Sequence, residues 1–523
     1  MGVYLNPGND MFQTAINSEI YVDKTDLIRI TNKVLGTMQK FVCISRPRRF
    51  GKSMAAYMLA AYYGKDCDSS EQFAPYKIAT RDSYEKYLNQ YNVIMLNIQD
   101  FLSMTESVED MLSFLQRRVI KELKKQYPGL ISDDERLLTI ALEDVYSETG
   151  EAFVFIIDEW DCILRDRSYH ADDQKKYLDF IRNLLKDKAY VALAYMTGIL
   201  PIKKYGTHSA LNMFTEYSMT APRVFAEYIG FTEEEVQLLC EQYRVDFDTM
   251  KSWYDGYTFP KVPHIYNPKS VVDALMFDEF GSYWTQTETY EALKIYIDLN
   301  YDGLKDAIIE MLAGQRVCIH TDRFQNDMTT FGSKDDVLTL LVHLGYLAYD
   351  SERSEVFIPN IEIRGEFRNA ITGDHWKDIA TALDTSDRLL RATRDGDAET
   401  VEKLLDAAHM ENTSILTYND ENSLSCVISI AYYSAMKEYT KIREMPSGKG
   451  YADIVFLPKR FSDKPAMVVE LKCNASADGA LAQIREKHYA DSLKEYKGNL
   501  LLVGINYDKK TKKHDCKIEK IEK

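Results

Sequence analysis

The sequence predicts an α/β chain in three parts. A parallel sheet with crossover helices comes first, a helical, winged-helix-like region follows, and a C-terminal domain of order α-β-β-β-α-β ends it. Three observations carry this. Short apolar runs alternate with helical stretches as far as residue 198. After about residue 225 the alternation gives way to helix-rich sequence. Near the end, three consecutive strand-like runs lie between helical stretches. The expected boundaries are 1–225, 226–375 and 376–523.

The elements follow in order. FVCIS (41–45) is a short apolar run, read as a buried strand, and SMAAYMLAAYYG (53–64) is a helix closing near Gly64. NVIMLNI (92–98), FVFIID (153–158) and YVALAYMTG (190–198) are three more strands. EDMLSFLQRRVIKELKKQY (109–127) and KKYLDFIRNLLKD (175–187) are helices between them. Thr232 stands three residues before Glu235, the signature of a capped helix start at 231–245. WYDGYTFP (253–260) reads as an aromatic turn. SKDDVLTLLVHLGYLAYD (333–350) reads as a helix running into a strand, with VFIPN (356–360) returning, which suggests a winged-helix-like module. A helical stretch at 376–410 is broken by RDGDAE (394–399). The final domain is a helix (422–439), strands at 439–445, 451–457 and 466–472, a helix at 477–496, a strand at 499–507, and a last strand candidate at 516–523.

Composition narrows the function classes. The 523 residues are 45% hydrophobic and 28% charged, which excludes a mainly disordered or fibrous chain. Lys and Arg total 64 against 81 Asp and Glu, a net charge of -17, so nucleic acid cannot be held by bulk charge and needs a local basic patch. The Lys-rich stretch at 509–520 is the one such feature of the tail. The eight Cys form no CxxC pair, and the nine His show no zinc spacing. Scattered thiols suit a reducing compartment. With no signal-like start and no apolar run of membrane length, the expectation is a cytoplasmic protein without a membrane partner.

Two constellations carry chemistry. Arg46-Pro-Arg-Arg-Phe-Gly51-Lys52-Ser53 lies between a strand and a helix. Helix-start N–H groups, a Lys for outer phosphates and a hydroxyl for Mg²⁺ make a phosphate loop, although Arg46 stands where the pattern has its first glycine. FVFIIDE (153–159) ends in two acids: Asp158 is placed for the Mg²⁺ shell and Glu159 to polarise the attacking water. Thr197 ends the fourth strand, where a γ-phosphate sensor belongs. Arg46, Arg48 and Arg49 are candidates for phosphate or a neighbouring subunit, and Arg165 and Arg167 for arginine fingers, against surface roles for each singly. The strand at 92–98 is expected between the two motifs.

The second constellation is Asp453 followed by Glu470-Leu-Lys472. Residues i and i+2 of a strand share a face, so Glu470 and Lys472 point together, towards Asp453 if the strands pair. Two carboxylates can hold Mg²⁺, and Lys can orient water or offset phosphate charge. The bland alternative is a solvated ion pair, but VVELK is mostly apolar, and unpaired charge in a buried strand is costly.

The runs YVDKTDLI (21–28), SRPRRFGKS (45–53), FIIDEWD (155–161), MTGILPI (196–202), SALN (209–212), GFTEEEV (230–236), WYDGY (253–257) and YNPKSV (266–271) together resemble the AAA-ATPase-like family of P-loop proteins. The resemblance covers roughly the first 280 residues. In that family Arg also replaces the first glycine. It implies ATP bound by Gly51, Lys52 and Ser53, with Ser53 and Asp158 on Mg²⁺ and Glu159 as base. Family members commonly carry a C-terminal nuclease-like domain. The last section is similar to the PD-(D/E)xK, restriction-endonuclease-like core: Asp453 and Glu470 would be metal ligands with Lys472 beside them. Gln483 matches its Q-I motif, Glu421 its helix Glu, and Lys487 and Tyr489 a recurring K-x-Y. The expected function is an ATP-binding and hydrolysing protein with a fused Mg²⁺-dependent nuclease acting on nucleic acid, DNA ahead of RNA. The alternative is a nucleotide-switched binding or signalling module whose nuclease-like domain is non-catalytic. A homo-oligomer is compatible with either.

Overall fold

Strands that are buried on both faces need near-continuous apolar side chains, and the runs at 41–45, 153–158 and 191–198 have them up to their C-terminal ends, where Ser45, Asp158 and Thr197 stand. In the computed structural model they form β1 (Phe41–Ser45), β3 (Phe153–Asp158) and β4 (Val191–Gly198), with β2 (Asn92–Asn97) and β5 (Thr215–Tyr217) completing a five-stranded sheet of order β2-β3-β4-β1-β5. Every pairing in it is parallel. The structure describes residues 2–521 except 166–168, 203–210, 285–289, 300, 302, 313, 322–323, 325–330, 372–385, 387, 413–427, 429–431, 433–434, 436–438, 448–449, 459–463 and 487–498.

Two features of this sheet differ from expectation. The strand at 92–97, which intervenes in sequence, lies at the edge of the sheet. The strand between the phosphate loop and the acidic motif in space is β4. β5 was not anticipated: three residues pair with Val42–Ile44 of β1 without an apolar run of their own.

Crossover helices α1 (Lys52–Tyr63), α2 (Val108–Gln126), α3 (Leu138–Thr149) and α4 (Ala171–Leu185) accompany the sheet. The core between sheet and helices includes Phe155, Ile157, Met111, Leu115, Leu142 and Ile181, all fully buried. By internal contacts the chain divides into two compact units, residues 1–288 with 318–363, and residues 289–317 with 364–523.

The first unit continues beyond the parallel sheet. α5 (Glu233–Tyr243) starts at the predicted capping box, with Glu235 N donating to Thr232 Oγ1 and Thr232 N to Glu235. β6 (Phe231–Thr232), β7 (Tyr257–Phe259) and β8 (Val262–Tyr266) form a small antiparallel sheet. The aromatic segment at 253–260 is therefore not only a turn: Trp253 and Tyr254 end a helix, α6 (Phe247–Tyr254), and Tyr257–Phe259 is β7. Gly256, at φ +118°, turns between them, and a Cβ there would lie 2.3 Å from Pro359 O. α7 (Pro268–Phe277) follows, and α8 (Lys334–Leu344) leads through Gly345 into the hairpin β9 (Ala348–Asp350) and β10 (Glu355–Phe357), the predicted helix–strand–strand.

In the second unit the charged break holds: a helix ends before Gly396, and α9 (Ala398–Asn412) begins just after it. The five-stranded sheet β11 (Tyr439–Ser447), β12 (Gly450–Pro458), β13 (Ala466–Cys473), β14 (Leu500–Asp508) and β15 (Lys513–Ile521) runs in sequence order. Only β13 and β14 pair in parallel, and α10 (Ala477–Glu486) connects them. The last strand candidate is thus a full strand. One face packs Met467, Val469, Leu501 and Val503 against α9 residues such as Val401 and Leu405. The other packs Val455, Val468 and Leu502 against Leu481 and Ile484 of α10. At the edge, Asp406 and Glu402 of α9 accept from His514 N (2.7 Å) and Cys516 N (2.8 Å) of β15. The predicted helix at 422–439 falls largely outside the described residues.

Candidate functional site

The phosphate loop leaves β1 at Ser45 and enters α1 at Lys52. Gly51 caps that helix at φ +92°, and Arg49 lies at φ +67°, so the loop turns through two left-handed residues. Lys52 is buried, and its Nζ donates to Pro47 O at 2.9 Å, within the loop itself. Burial lowers its pKa, and the carboxylates of Glu159, Asp158 and Asp161 oppose that shift. Ser53 is half-buried in the first turn. The twelve-residue helix aims its unpaired N–H groups at the loop.

The three loop arginines separate. Arg48 and Arg49 are exposed. Arg46 is fully buried: Nη1 donates to Ser45 O (2.9 Å) and Tyr217 O (3.0 Å), and the guanidinium stacks 5.1 Å from the Phe259 ring centroid. Burial pushes its pKa down to about 9. The side chain that replaces the first glycine thus ties the loop to β5 and β7.

Around this loop the first unit packs tightly. Trp284 Nε1 donates to Arg48 O (3.3 Å), and Tyr257 OH to Gly345 O (2.6 Å). A Cβ on Gly345 would lie 2.7 Å from Pro47 Cβ. His343, two residues back, is buried beside Arg46, and burial followed by that positive charge pushes its pKa down to about 3.

Asp158 ends β3 and is buried. Its Oδ1 accepts from Thr197 Oγ1 on the neighbouring β4, and from Glu159 N at 3.0 Å. Glu159 sits at φ +52°, a strained value for a non-glycine residue. Its carboxylate pairs with Arg165 Nη2, and Arg165 Nε lies 3.3 Å from Asp161 Oδ2. The finger candidate is therefore a partner of the base candidate. Arg167 lies outside the described residues.

Asp161 was not singled out from sequence. It is fully buried, and Oδ2 accepts from Ile199 N (2.9 Å) and Leu200 N (2.6 Å), holding the exit of β4. Gly198 admits it: a Cβ there would lie 2.7 Å from Asp161 Oδ1. A carboxylate three residues after Asp158 was the visible signal.

The second constellation assembles on the α10 face of the second sheet. The β12–β13 ladder ends with Ile454 opposite Val469, and Asp453 and Glu470 are the next residues beyond that last pair. Asp453 Oδ2 accepts from Leu471 N at 2.8 Å. Glu470 is 1% exposed, and its Oε1 receives Lys472 Nζ (3.1 Å) and Gln483 Nε2. Gly504 stands beside Glu470 on β14 and is what lets α10 approach, because a Cβ there would lie 2.5 Å from Ala477 O. Glu470 thus gathers a lysine and an amide, and Asp453 is held by the backbone of the residue next to Glu470. Oxygen donors of this kind suit a hard cation that keeps waters and substrate phosphates in its shell. Among the described residues no group of three or more His, Cys, Asp or Glu is placed to hold a metal ion. Glu421, Lys487 and Tyr489 lie outside the described residues.

No helix among the described residues is long and apolar enough to cross a membrane. Residues 8–207 match the family model described as predicted AAA-ATPase, and residues 419–516 match that of the PD-(D/E)XK nuclease superfamily. No curated protein matches the chain. Among solved structures, the Aeropyrum pernix ORC2 protein in its ADPNP–ADP complexes is 10% identical at a TM-score of 0.29, over 69% of this chain and 97% of that one. AMPPCP-bound DnaA from Aquifex aeolicus is 9% identical at a TM-score of 0.26, over 79% of this chain and 96% of its own. The chain therefore joins an AAA-ATPase-like domain to a domain of the PD-(D/E)XK nuclease superfamily.

Proposed function

We propose that the protein binds and hydrolyses ATP in its first unit and cuts nucleic-acid phosphodiesters in its second. One observation supports the second half: Lys472 and Gln483 both donate to the buried Glu470, and Asp453 is tied to the backbone of the adjacent Leu471, so residues of three elements are linked through two neighbouring positions of β13. A structural ion pair would not need the amide or the second carboxylate.

In the nuclease site Asp453 and Glu470 would hold Mg²⁺. When bound, the ion stabilises charge on the scissile phosphate and helps to supply hydroxide. Leu471 N fixes the Asp453 carboxylate, and Gln483 fixes that of Glu470. The Lys472 ammonium, held by Glu470, would orient water and offset phosphate charge. In the ATP site Gly51, Lys52 and Ser53 would cradle the phosphates, Lys52 exchanging Pro47 O for a phosphate oxygen. Ser53 and Asp158 would share the nucleotide's Mg²⁺, with Asp158 oriented by Thr197. Glu159 would take the water, steered by Arg165.

The test is cleavage of single- and double-stranded DNA and RNA with Mg²⁺ or Mn²⁺, with and without ATP, by wild type, Asp453→Ala and Lys52→Ala. The expected result is metal-dependent cutting that Asp453→Ala abolishes and Lys52→Ala alters. ATP turnover without cutting on any substrate would sink the nuclease reading and leave a nucleotide-switched binding module.

A further inference from the structure

The chain carries a net charge of -17, so a polyanion needs a local landing site. The turn between β14 and β15, with the first residue of β15, is the sequence Lys509-Lys510-Thr511-Lys512-Lys513, and all four lysines are exposed. We propose that this turn is the phosphate-tracking surface of the nuclease unit and anchors the nucleic-acid backbone on one side of the Asp453–Glu470 site. The inference rests on the nuclease reading above and adds where its substrate is held.

Position is the first argument. β13 and β14 are parallel neighbours, with Glu470 opposite Gly504 and Lys472 opposite Asn506. Both strands end on the same edge of the sheet. From Gly504 to Asp508 is four strand steps, about 13 Å at ~3.3 Å per residue. A nucleotide advances ~3.4 Å along one strand, so the turn meets the backbone about four nucleotides from a phosphate at Glu470.

Rigidity is the second. Asp508 Oδ1 accepts from Lys510 N (2.7 Å) and Thr511 N (3.1 Å), and Lys512 N donates to Asp508 O (2.8 Å). Lys509 N donates to Asn474 Oδ1 at 2.9 Å, and Asn474 N to Tyr507 O at 2.8 Å. The turn is thereby stitched to the loop that leaves the catalytic strand. The acid within the turn is spent on its backbone.

Charge pairing is the third. Further along the strand the charges are mostly matched: Lys517 of β15 pairs with Asp478, and Glu519 of β15 with Arg485 of α10, while Lys520 alone stays open there. Among the described residues Lys510, Lys512 and Lys513 form no ion pair with a carboxylate. Open basic charge is thus concentrated at the tip, three lysines within four residues.

The experiment measures binding of the full chain to fluorescent oligonucleotides, single-stranded and duplex, without divalent metal and over a salt series. The variants are Lys510→Ala/Lys512→Ala/Lys513→Ala and the matching triple Arg substitution. Each phosphate neutralised adds ~0.9 to the slope of log K against log salt on duplex and ~0.7 on single strands. The Ala triple should lower the slope by about 2.7 on duplex, or about 2 on single strands, and the Arg triple should keep it. An unchanged slope in the Ala triple, with wild type binding, would overturn the anchor and leave the nuclease reading standing. Failure of wild type to bind any oligonucleotide at low salt would overturn both. A slope that depends on the turn in a protein that never cuts would support the anchor and remove catalysis.

Discussion

Gly504→Ala tests whether the nuclease cluster depends on how closely α10 lies on its sheet. The added Cβ would sit 2.5 Å from Ala477 O and 3.1 Å from both Ala480 Cβ and Leu481 Cγ. The first two are fixed to the helix, so no rotamer change relieves them. Ordinary contact begins near 3.5 Å, so α10 must withdraw by about 1 Å. Overpacking of this kind costs about 1–3 kcal/mol. The same shift draws Gln483 from Glu470, and a misplacement of about 1 Å in a catalytic group can cost ~100-fold in rate. The assays are thermal unfolding and single-turnover cleavage, with Gly365→Ala as control. Gly365 lies in the helix Ile361–Ala370 with nothing within 4 Å of an added Cβ, so that variant should gain up to about 1 kcal/mol. Gly504→Ala with the melting temperature of wild type would refute the close-approach argument. A destabilised Gly504→Ala with full activity would refute the dependence of Glu470 on α10.

Two further predictions concern the first unit. His343 is held neutral, its folded pKa of about 3 lying below the unfolded value near 6.5. Its stability contribution is complete above pH 6.5 and falls as the pH drops towards 3, by on the order of 2 kcal/mol at pH 5. Urea titrations of wild type and His343→Leu at pH 7 and 5 should show that extra loss in wild type alone, and parallel losses would refute it. Thr232→Ala removes the cap of α5 and should cost about 1 kcal/mol in the same titration; a value within error of zero would mean that Glu235, held by Lys24, keeps the helix start without it.

Much of the fold was legible because its signals are local. A short, nearly continuous apolar run of five to eight residues bounded by turn signals is too short for a buried helix and fits a strand buried on both sides, and Thr232 with Glu235 writes its own helix start. Strand periodicity alone puts Glu470 and Lys472 of the second cluster on one face. What was not legible depends on distant chain. β5 is a strand because Val42–Ile44 accept it, not because of its own residues. The order that puts β4 between the two ATP motifs is a property of the sheet. Arg46 reads as a phosphate ligand from its neighbours in sequence, whereas Tyr217 and Phe259, far along the chain, draw its side chain inward. Gly504 carries no chemistry of its own, and its importance appears only when α10 is placed over it.

The two carboxylates of α9 that receive backbone N–H groups from β15 also bear on self-association. An open sheet edge is a template on which another chain can add a strand. Here Glu402 and Asp406 occupy donors that such a strand would need, and α9 covers the side from which it would come. Growth of this sheet by edge-to-edge pairing is therefore blocked at β15, and any assembly built by strand addition has to start from β11 at the opposite margin.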